Sequence, residues 1–241
     1  AEYLAKLRYL ILPIREADAV PQPLRCKTLL ELPRAAFGTV EPDTMRRLAA
    51  LEGSGFAGVV ANNLAQFGYA SPLPVFGGLG LNVTNPMSAA EYVCLGACGL
   101  LVQPETALTA MRAVAPRQKD GTPVPTAALC YGHLPLMLTR ACPLRNVRTS
   151  CAGCTHKGKL RDRKGRDFPV RCSAPGSAGM RTVFNPVPLY MGDRLTEMPV
   201  DLAVAVFTLE PADRVEEVLT HLFHQQPFDG EFTRGLYYTN N

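Results

Sequence analysis

The stretch "FAGVVANNLAQFGYASPLPVFGGLGLNVTNPMSAAEYVCLGACGLLVQ", residues 56–103, decides the fold class of this chain. It holds three short apolar runs, "FAGVVA", "LPVFGG" and "GLLVQ", and a helical segment at residues 85–98 with Pro86 in its first turn. Short continuous apolar runs are typical of strands that are buried on both faces of a parallel sheet. The stretch therefore predicts βα units joined by right-handed crossovers.

The same alternation continues on both sides of this stretch. Upstream, residues 27–32 indicate a strand and residues 42–55 a helix. Downstream, residues 105–115 indicate a helix and residues 124–132 a strand. No G-x-G-x-x-G follows the first strand, which disfavours a dinucleotide-binding sheet. Since about five βα units are too few for a complete barrel, we predict an α/β fold with a partial TIM-like βα barrel.

The last part of the chain returns to strand and helix patterns after a cysteine-rich segment. A short strand and a helix beginning at Pro188 are followed by a strand at residues 200–210 and an amphipathic helix at residues 211–226. We therefore predict a βα half-barrel, an inserted cysteine-rich metal-binding loop and a C-terminal βα extension of the same domain, at residues 1–140, 141–180 and 181–241.

The composition indicates an ordinary soluble globular protein. The chain has 241 residues, of which 47% are hydrophobic and 19% charged, so it can bury a sizeable core. No run reaches the ~18 apolar residues that a membrane span needs. The apolar N-terminal stretch is interrupted by Lys6 and Arg8 and lacks a cleavage site, so it does not read as a signal peptide. We expect no membrane association and a cytoplasmic location.

The strongest chemical signal is the spacing C-x8-C-x2-C-x17-C of Cys142, Cys151, Cys154 and Cys172. Four thiolates form a complete tetrahedral set for structural zinc and equally for a four-iron, four-sulfur cluster. A redox pair, a disulfide and unliganded thiols are the alternatives, and His156 lies close enough in sequence to replace one cysteine. The absence of a secretion signal disfavours disulfides.

The other four cysteines favour a reducing compartment. Without a signal segment, Cys26, Cys94, Cys98 and Cys130 are better interpreted as small buried side chains than as disulfide partners. Cys94 and Cys98 both fall in the predicted helix at residues 85–98, one turn apart, so their side chains could face one another.

Positive charge is concentrated between the cysteines of the inserted segment. The formal net charge of the chain is only +4, but Lys159, Arg161 and Lys164 lie among further basic residues there. Such a patch is typical of a surface that binds phosphates, while a solvated loop explains the same composition. We predict that these three side chains contact substrate phosphates.

Polar residues near the ends of predicted strands are candidates for a site at the mouth of the barrel. His133 follows the strand at residues 124–132, where a βα barrel places its active site, and is the candidate catalytic residue. Asn82 and Asn85 lie in the glycine-rich connection and are candidate substrate-binding residues. Capping, packing and turn formation explain the same residue types, so both interpretations stay open.

Several segments of the chain, taken in order, carry a family resemblance. They are "LGLNVTNPMSAAEYVCLGACGLLVQPE", "YGHLPLMLTRACPLRN", "LRDRKGRDFPVRC", "VFNPVPLYMGD" and "FTRGLYY". Together they closely resemble the U32, or collagenase-like, peptidase family over residues 55–241. The resemblance implies a βα barrel, a cysteine-bound metal centre and a place in the C-terminal half-barrel of a long multi-domain protein, whose other domains would be partners.

For function, the resemblance implies oxygen-independent hydroxylation. Several relatives carry a four-iron, four-sulfur cluster and support hydroxylation of RNA bases or in ubiquinone synthesis. Carried onto this sequence, Cys142, Cys151, Cys154 and Cys172 would be the ligands, and RNA would be a partner. The alternatives are a collagenase-like peptidase domain and a non-catalytic, zinc-stapled scaffold or RNA-binding domain. Neither a G-x-S-x-G nor an H-E-x-x-H motif is present to support hydrolysis.

Overall fold

Parallel strands joined by helices form the first of two units into which the chain divides. The computed structural model describes residues 2–68, 73–145, 150–173 and 179–239. The first unit contains Ala1–Leu129, Arg194–Val204 and Gly235–Asn241, and the second contains Cys130–Asp193 and Ala205–Arg234.

Six parallel strands pair in the order of the sequence. They are β1 (Leu10–Pro13), β2 (Thr28–Glu31), β3 (Gly58–Ala61), β4 (Val75–Gly77), β5 (Ala97–Leu101) and β6 (Thr126–Gly132). Every residue of β3 is buried, as expected for a strand that is covered on both faces. β6 begins in the first unit and continues past Leu129 into the second.

Short helices connect these strands. In chain order, α1 to α5 span Glu2–Lys6, Gln22–Arg25, Val40–Ala50, Pro86–Cys94 and Leu108–Met111, and 3-10 helices span Ile14–Ala19, Leu64–Gly68 and Leu79–Leu81. α4 begins at Pro86 because the first helical position needs no intrahelical bond from its N–H. Within the ranges that the structure describes, no helix is long and apolar enough to cross a membrane.

The core of the first unit is built from strand and helix side chains in contact. Leu30 and Val59, on neighbouring strands, are fully buried and belong to one cluster with Leu48 of α3, Leu51 and Phe56. Burying an aliphatic side chain of this size stabilises a fold by ~1.5–3 kcal/mol. The predicted α/β fold with a partial βα barrel is confirmed.

A four-stranded antiparallel sheet lies in the second unit. Its strands are β7 (Pro135–Thr139), β8 (Lys157–Arg161), β9 (Asp167–Cys172) and β10 (Arg181–Phe184), in the spatial order β7–β10–β9–β8. The predicted cysteine-rich insertion, residues 141–180, therefore contains the β8–β9 hairpin of this sheet. Residues 146–149 and 174–178 of the insertion lie outside the described residues.

Three further elements complete the C-terminal part. They are β11 (Leu189–Tyr190), β12 (Leu202–Ala205) and α6 (Ala212–Phe223), with a 3-10 helix at Gly192–Glu197. β11 pairs antiparallel with the last residues of β6, and β12 also pairs with β6. α6 is the amphipathic helix that the sequence predicts at residues 211–226.

Two predicted helices differ from the structure. The chain after Pro188 forms β11, because Leu189 and Tyr190 pair with the end of β6. Thr233 adds an isolated bridge on the other side, where its N–H donates to the carbonyl oxygen of Pro188 (2.9 Å). The helix predicted at residues 105–115 is limited to α5.

Only one of the four cysteines outside the inserted segment is buried. Cys130 is 3% exposed, and burial raises the pKa of its thiol to about 12. Cys26 and Cys94 are exposed and Cys98 is half-buried, so the expectation of four buried side chains was wrong. Cys94 ends α4 while Cys98 lies in β5, so these two thiols do not share a helix.

Candidate functional site

The antiparallel sheet of the second unit sets the positions of two predicted metal ligands. Arg181 of β10 lies beside Thr139 of β7 on one side and beside Cys172 of β9 on the other. β7 and β9 therefore end at the same edge of the sheet. Cys142 lies shortly after the last residue of β7, and Cys172 is the last residue of β9. Both cysteines therefore belong to segments that leave the sheet at the same end.

The other two predicted ligands form a turn that leads into the same edge. Lys157, the first residue of β8, pairs with Arg171 near the end of β9, so β8 begins where β9 ends. Cys151 and Cys154 precede β8, and the N–H of Cys154 donates to the carbonyl oxygen of Cys151 at 3.1 Å. Gly153 closes this turn with a φ of +65°, a conformation that glycine adopts without steric cost.

The backbone of His156 links this turn to the end of β9. Its N–H donates to Sγ of Cys154 at 3.4 Å, and its carbonyl oxygen accepts the N–H of Cys172 at 2.9 Å. Four cysteine sulfurs are a donor set that suits zinc or an iron–sulfur cluster. Among the residues that the structure describes, however, no three cysteine, histidine or carboxylate side chains are grouped as a metal site.

The β8–β9 hairpin carries the predicted phosphate-binding side chains. Lys159 Nζ lies 2.5 Å from Oδ2 of Asp167, and Arg161 Nε lies 2.6 Å from Oδ1. Hydrogen bonds from Arg161 and then Lys159 hold the pKa of Asp167 well below its usual value, so the carboxylate stays charged. Lys164 lies in the exposed turn of the hairpin. Two of the three predicted cations thus share one acidic partner.

His133 lies at a cavity of about 270 Å³ within the second unit. The residue directly follows β6, as predicted, and its side chain is 13% exposed. Its Nδ1 lies 2.7 Å from the carbonyl oxygen of Asn185. Because a carbonyl oxygen only accepts, Nδ1 carries a hydrogen, and in the neutral ring Nε2 keeps a lone pair. Nε2 lies 3.8 Å from Oε1 of Glu210.

Glu210 is a buried carboxylate that the sequence did not single out. Its side chain is 4% exposed. Oε2 accepts the N–H groups of Thr208 (2.8 Å) and Leu209 (2.9 Å), and Oε1 accepts the Tyr131 hydroxyl (2.9 Å). Burial alone would raise the pKa of Glu210, but these hydrogen bonds outweigh it and the pKa is lowered. Burial and the adjacent carboxylate raise the pKa of Tyr131, so the phenol keeps its proton.

An arginine and an aromatic ring form another part of the cavity wall. The Arg214 guanidinium lies 4.8 Å from the centre of the Phe228 ring, and its Nη2 donates to the carbonyl oxygen of Asp229 at 2.9 Å. The cavity therefore offers an imidazole, a carboxylate and a guanidinium. Its described lining includes no serine, threonine or cysteine that could act as a nucleophile.

The two asparagines predicted to bind substrate lie in the first unit and have different local roles. Asn85 caps α4, since its Oδ1 accepts the N–H of Ser88 at 2.9 Å. Asn82 is exposed and has a φ of +53°, a left-handed conformation in which asparagine is enriched. Its Oδ1 accepts from Gln103 Nε2 at 2.5 Å. Asn85 therefore caps a helix, while Asn82 is exposed and accepts a hydrogen bond from Gln103.

The glycine-rich connection that carries Asn82 packs directly on the end of β3. A Cβ at Gly80 would lie 2.1 Å from the carbonyl oxygen of Asn62, so only glycine fits there. The N–H of Gly80 donates to Oδ1 of Asn62 at 3.0 Å. The glycines of this segment therefore allow the connection after β4 to pack closely against the connection after β3.

Comparison with known proteins gives one structural likeness. No protein-family model and no curated protein matches the chain. A solved structure of a U32 peptidase aligns with 76% of this chain and 70% of that chain, at 15% sequence identity and a TM-score of 0.43. Likeness at this level assigns neither a family nor an activity.

Proposed function

We propose that this chain is a U32-like domain that holds a metal centre on Cys142, Cys151, Cys154 and Cys172 and supports oxygen-independent hydroxylation of RNA bases. The observation that carries the proposal is the strand register, since β7 and β9 end and β8 begins at one end of the four-stranded sheet. Cys142 follows β7, Cys172 ends β9, and the turn that contains Cys151 and Cys154 precedes β8. The ordered segments that resemble the U32 family support the reaction class.

The chemistry of the four cysteines supports a thiolate centre. An iron–sulfur cluster at this edge would supply one-electron transfer. The N–H of His156 already donates to Sγ of Cys154, and such N–H···S bonds stabilise a thiolate and tune a bound metal. His156 contributes through its backbone in this arrangement, while the four thiols remain the candidate ligands.

The basic hairpin would contribute the contacts to RNA phosphates. Lys159, Arg161 and Lys164 are exposed, and phosphate binding by such side chains releases counterions. Asp167 competes with a phosphate for Lys159 and Arg161, because it already binds both. We therefore expect modest RNA affinity that falls as the salt concentration rises. Asn82, Asn85 and His133 remain the candidate residues for binding and acting on the substrate.

Metal analysis with a visible spectrum on anaerobically purified protein tests the centre. We expect a brown protein with about four iron and four sulfide per chain. Cys154→Ser should remove most of the iron, whereas Cys26→Ser should leave the iron unchanged, because Cys26 is an exposed thiol of the other unit. Zinc without iron would overturn the redox part of the proposal.

Titration of a single-stranded RNA oligonucleotide at several salt concentrations tests the hairpin. The triple change Lys159→Glu, Arg161→Glu and Lys164→Glu should weaken binding. It should also flatten the dependence of log K on log salt by about 0.7 for each phosphate contact that is lost.

A matched control carries the same change of charge elsewhere. Exposed cations of the first unit serve for this: Arg112→Glu, Arg117→Glu and Lys119→Glu. If both triple variants weaken binding equally, only the net charge matters and the hairpin is not the RNA-binding surface.

A zinc-stapled scaffold is the second candidate function. The closed turn from Cys151 to Cys154 suits a tetrahedral zinc site as well as a cluster. A colourless protein with about one zinc per chain would support it. A peptidase is less well supported, since the His133 cavity has no serine, threonine or cysteine in its described lining.

A further inference from the structure

A cavity in the second unit brings an imidazole and a carboxylate to face each other across a gap. The cavity measures about 270 Å³, and its described lining includes His133 after β6, Glu210 before α6 and Arg214 on α6. That described lining includes none of the four cysteines and no basic side chain of the β8–β9 hairpin. The cavity is therefore a separate candidate site from the proposed metal and phosphate sites.

The hydrogen bonds at Glu210 match a carboxylate, which only accepts. Tyr131, Thr208 and Leu209 each donate to it, at 2.8 to 2.9 Å. Among the described groups, Oε2 receives two of these bonds, while Oε1 receives only the bond from the Tyr131 hydroxyl. Because a carboxylate oxygen has two lone pairs, Oε1 can accept another donor.

The charge of Glu210 is not matched by the arginine of the cavity. Arg214 Nη1 lies 2.6 Å from Oε1 of Glu217, and its Nη2 donates to the carbonyl oxygen of Asp229 at 2.9 Å. In the described ranges, no lysine or arginine forms an ion pair with Glu210. Asp229 and Glu231 add two exposed acidic side chains to the lining. Since a buried charge without a counter-ion is costly, the cavity favours a cation.

His133 presents its second nitrogen to the same carboxylate oxygen. Its Nδ1 lies 2.7 Å from the carbonyl oxygen of Asn185, so the neutral ring has its hydrogen on Nδ1 and its lone pair on Nε2. Nε2 lies 3.8 Å from Oε1 of Glu210, which is too far for a hydrogen bond between the two atoms. One group with two hydrogens, about 2.8 Å from each atom, can donate to both.

Much of the remaining lining is apolar. These side chains are Pro188, Leu209, Pro211 and Phe228. A short hydrocarbon stem can pack against them, while a ligand that is polar throughout would lose its hydration there. The cavity thus combines an acidic, hydrogen-bonding end with apolar walls.

We propose that this cavity binds a small alkyl amine, whose ammonium group donates to Oε1 of Glu210 and to Nε2 of His133. The ammonium supplies the positive charge that Glu210 lacks, and the alkyl stem packs on the apolar walls. Hydrogen bonds between an ammonium and a carboxylate are roughly twice as strong as neutral ones. Charge therefore distinguishes this ligand from an alcohol of the same size.

Titration of the full chain with butylamine in an amine-free buffer at neutral pH, followed by NMR chemical shifts, tests the proposal. Butanol and butyrate are the matched ligands, since they differ from butylamine mainly in the polar end. We expect butylamine to shift the amide signals of the cavity residues and to bind about tenfold or more tightly than butanol. Butyrate should not bind, because its charge repeats that of Glu210.

Variants of the two facing side chains locate the binding. Glu210→Gln keeps the shape of the side chain and removes its charge, so it should weaken butylamine binding by about tenfold or more. His133→Phe removes the second acceptor and should weaken binding by about fivefold. Glu216→Gln makes the same change of charge at an exposed position of α6 and should keep the wild-type affinity. Urea denaturation shows whether each variant is folded.

Two results with wild-type protein would overturn the proposal without any variant. One is equal binding of butylamine and butanol. The other is no binding of butylamine, as expected if a protonated His133 already serves as the cation for Glu210. An equal loss in Glu210→Gln and Glu216→Gln would also overturn it, because only net charge would then matter. Metal content is measured separately, so failure of this proposal leaves the proposed metal centre standing.

Discussion

The parallel sheet of the first unit and the antiparallel sheet of the second place polar groups at strand ends in different ways. At the ends of β3 and β5, Asn62 and Gln103 are buried and bound to backbone atoms of the same unit. At the ends of β7 and β9 the corresponding residues are Cys142 and Cys172, and side chains as well as backbone bonds hold the segments beside them: Arg181 Nη1 donates to the carbonyl oxygen of Arg140, and Ser173 Oγ accepts the N–H of Met180. The end of the parallel sheet is thus completed by buried amides, whereas the end of the antiparallel sheet carries cysteines that could bind a metal.

The strands of the two sheets also differ in burial. Every residue of β3 is buried, while β8 alternates between exposed and half-buried residues. A sheet with one solvated face buries less apolar area per strand. Hydrophobic burial then contributes less to its folding free energy, and other interactions contribute a larger share. We therefore expect the cysteine edge to depend on a bound metal more than the parallel sheet depends on any single side chain.

Loss of the proposed metal should have the largest effect on the second unit. Cys151→Ser with Cys154→Ser deletes two of the four proposed ligands and should reduce bound metal to background. Metal binding contributes about 10 kcal/mol or more to the folding of small metal domains. We expect a lower melting temperature and loss of protection in β8 and β9, measured by hydrogen exchange.

Cys26→Ser is the control for this change, since its exposed thiol lies in the first unit. It should keep the wild-type metal content and melting temperature. Equal metal content in wild type and the double variant would show that the cysteine edge is not the metal site.

The parallel sheet should be most sensitive at Gly80. In Gly80→Ala the new Cβ would lie 2.1 Å from the carbonyl oxygen of Asn62, so the connection must move. We expect a loss of about 3 kcal/mol in the free energy of unfolding, measured by urea denaturation. Gly68→Ala is the control, because no atom lies within 4 Å of a Cβ there, and it should change stability by less than about 0.5 kcal/mol.

Glu210→Gln tests the buried carboxylate of the second unit. The change leaves the N–H groups of Thr208 and Leu209 with a weaker acceptor, and we expect a loss of about 2 kcal/mol at neutral pH. Glu216→Gln, an exposed change on α6, should cost much less.

The pH dependence of this loss has a definite sign. The pKa of Glu210 is lower in the folded than in the unfolded state. Its stabilising contribution is therefore complete above the unfolded pKa of about 4.3, and it is lost as the pH falls through the folded pKa. Denaturation of wild type and Glu210→Gln across this range should show the two stabilities converging in acid. A difference that grows in acid would contradict the assignment.

The smallest effect is expected at the start of α4. Asn85→Ala removes the cap on the N–H of Ser88 and should cost about 1 kcal/mol by urea denaturation. Asn85→Ser keeps a capping oxygen and should lower the free energy of unfolding by only about 0.3 kcal/mol. If both variants lose affinity for a base without losing stability, Asn85 binds substrate rather than only capping the helix.

Local sequence patterns predicted those parts of the fold that depend on neighbouring residues. The apolar run "FAGVVA" became β3 because a strand with apolar residues on both faces can only be buried. Pro86 correctly marked the start of α4. The helix predicted after Pro188 was wrong, because backbone pairing with the distant β6 makes this segment a strand.

The polar groups of the candidate sites were harder to predict. Glu210 reaches Tyr131 across 79 residues of sequence, so its pairing depends on how β6 meets the chain before α6. Such contacts have no periodic signal in the sequence.

The sequence by itself determined the α/β alternation, the position of His133 after a strand and the presence of four closely spaced cysteines, because each depends on residue type and local spacing. Only the tertiary structure decided that β7 and β9 end, and β8 begins, at the same end of one sheet, and that Lys159 and Arg161 share Asp167. The first depends on the pairing of β10 with both β7 and β9, which are far apart in the chain, and the second depends on the register of the β8–β9 hairpin.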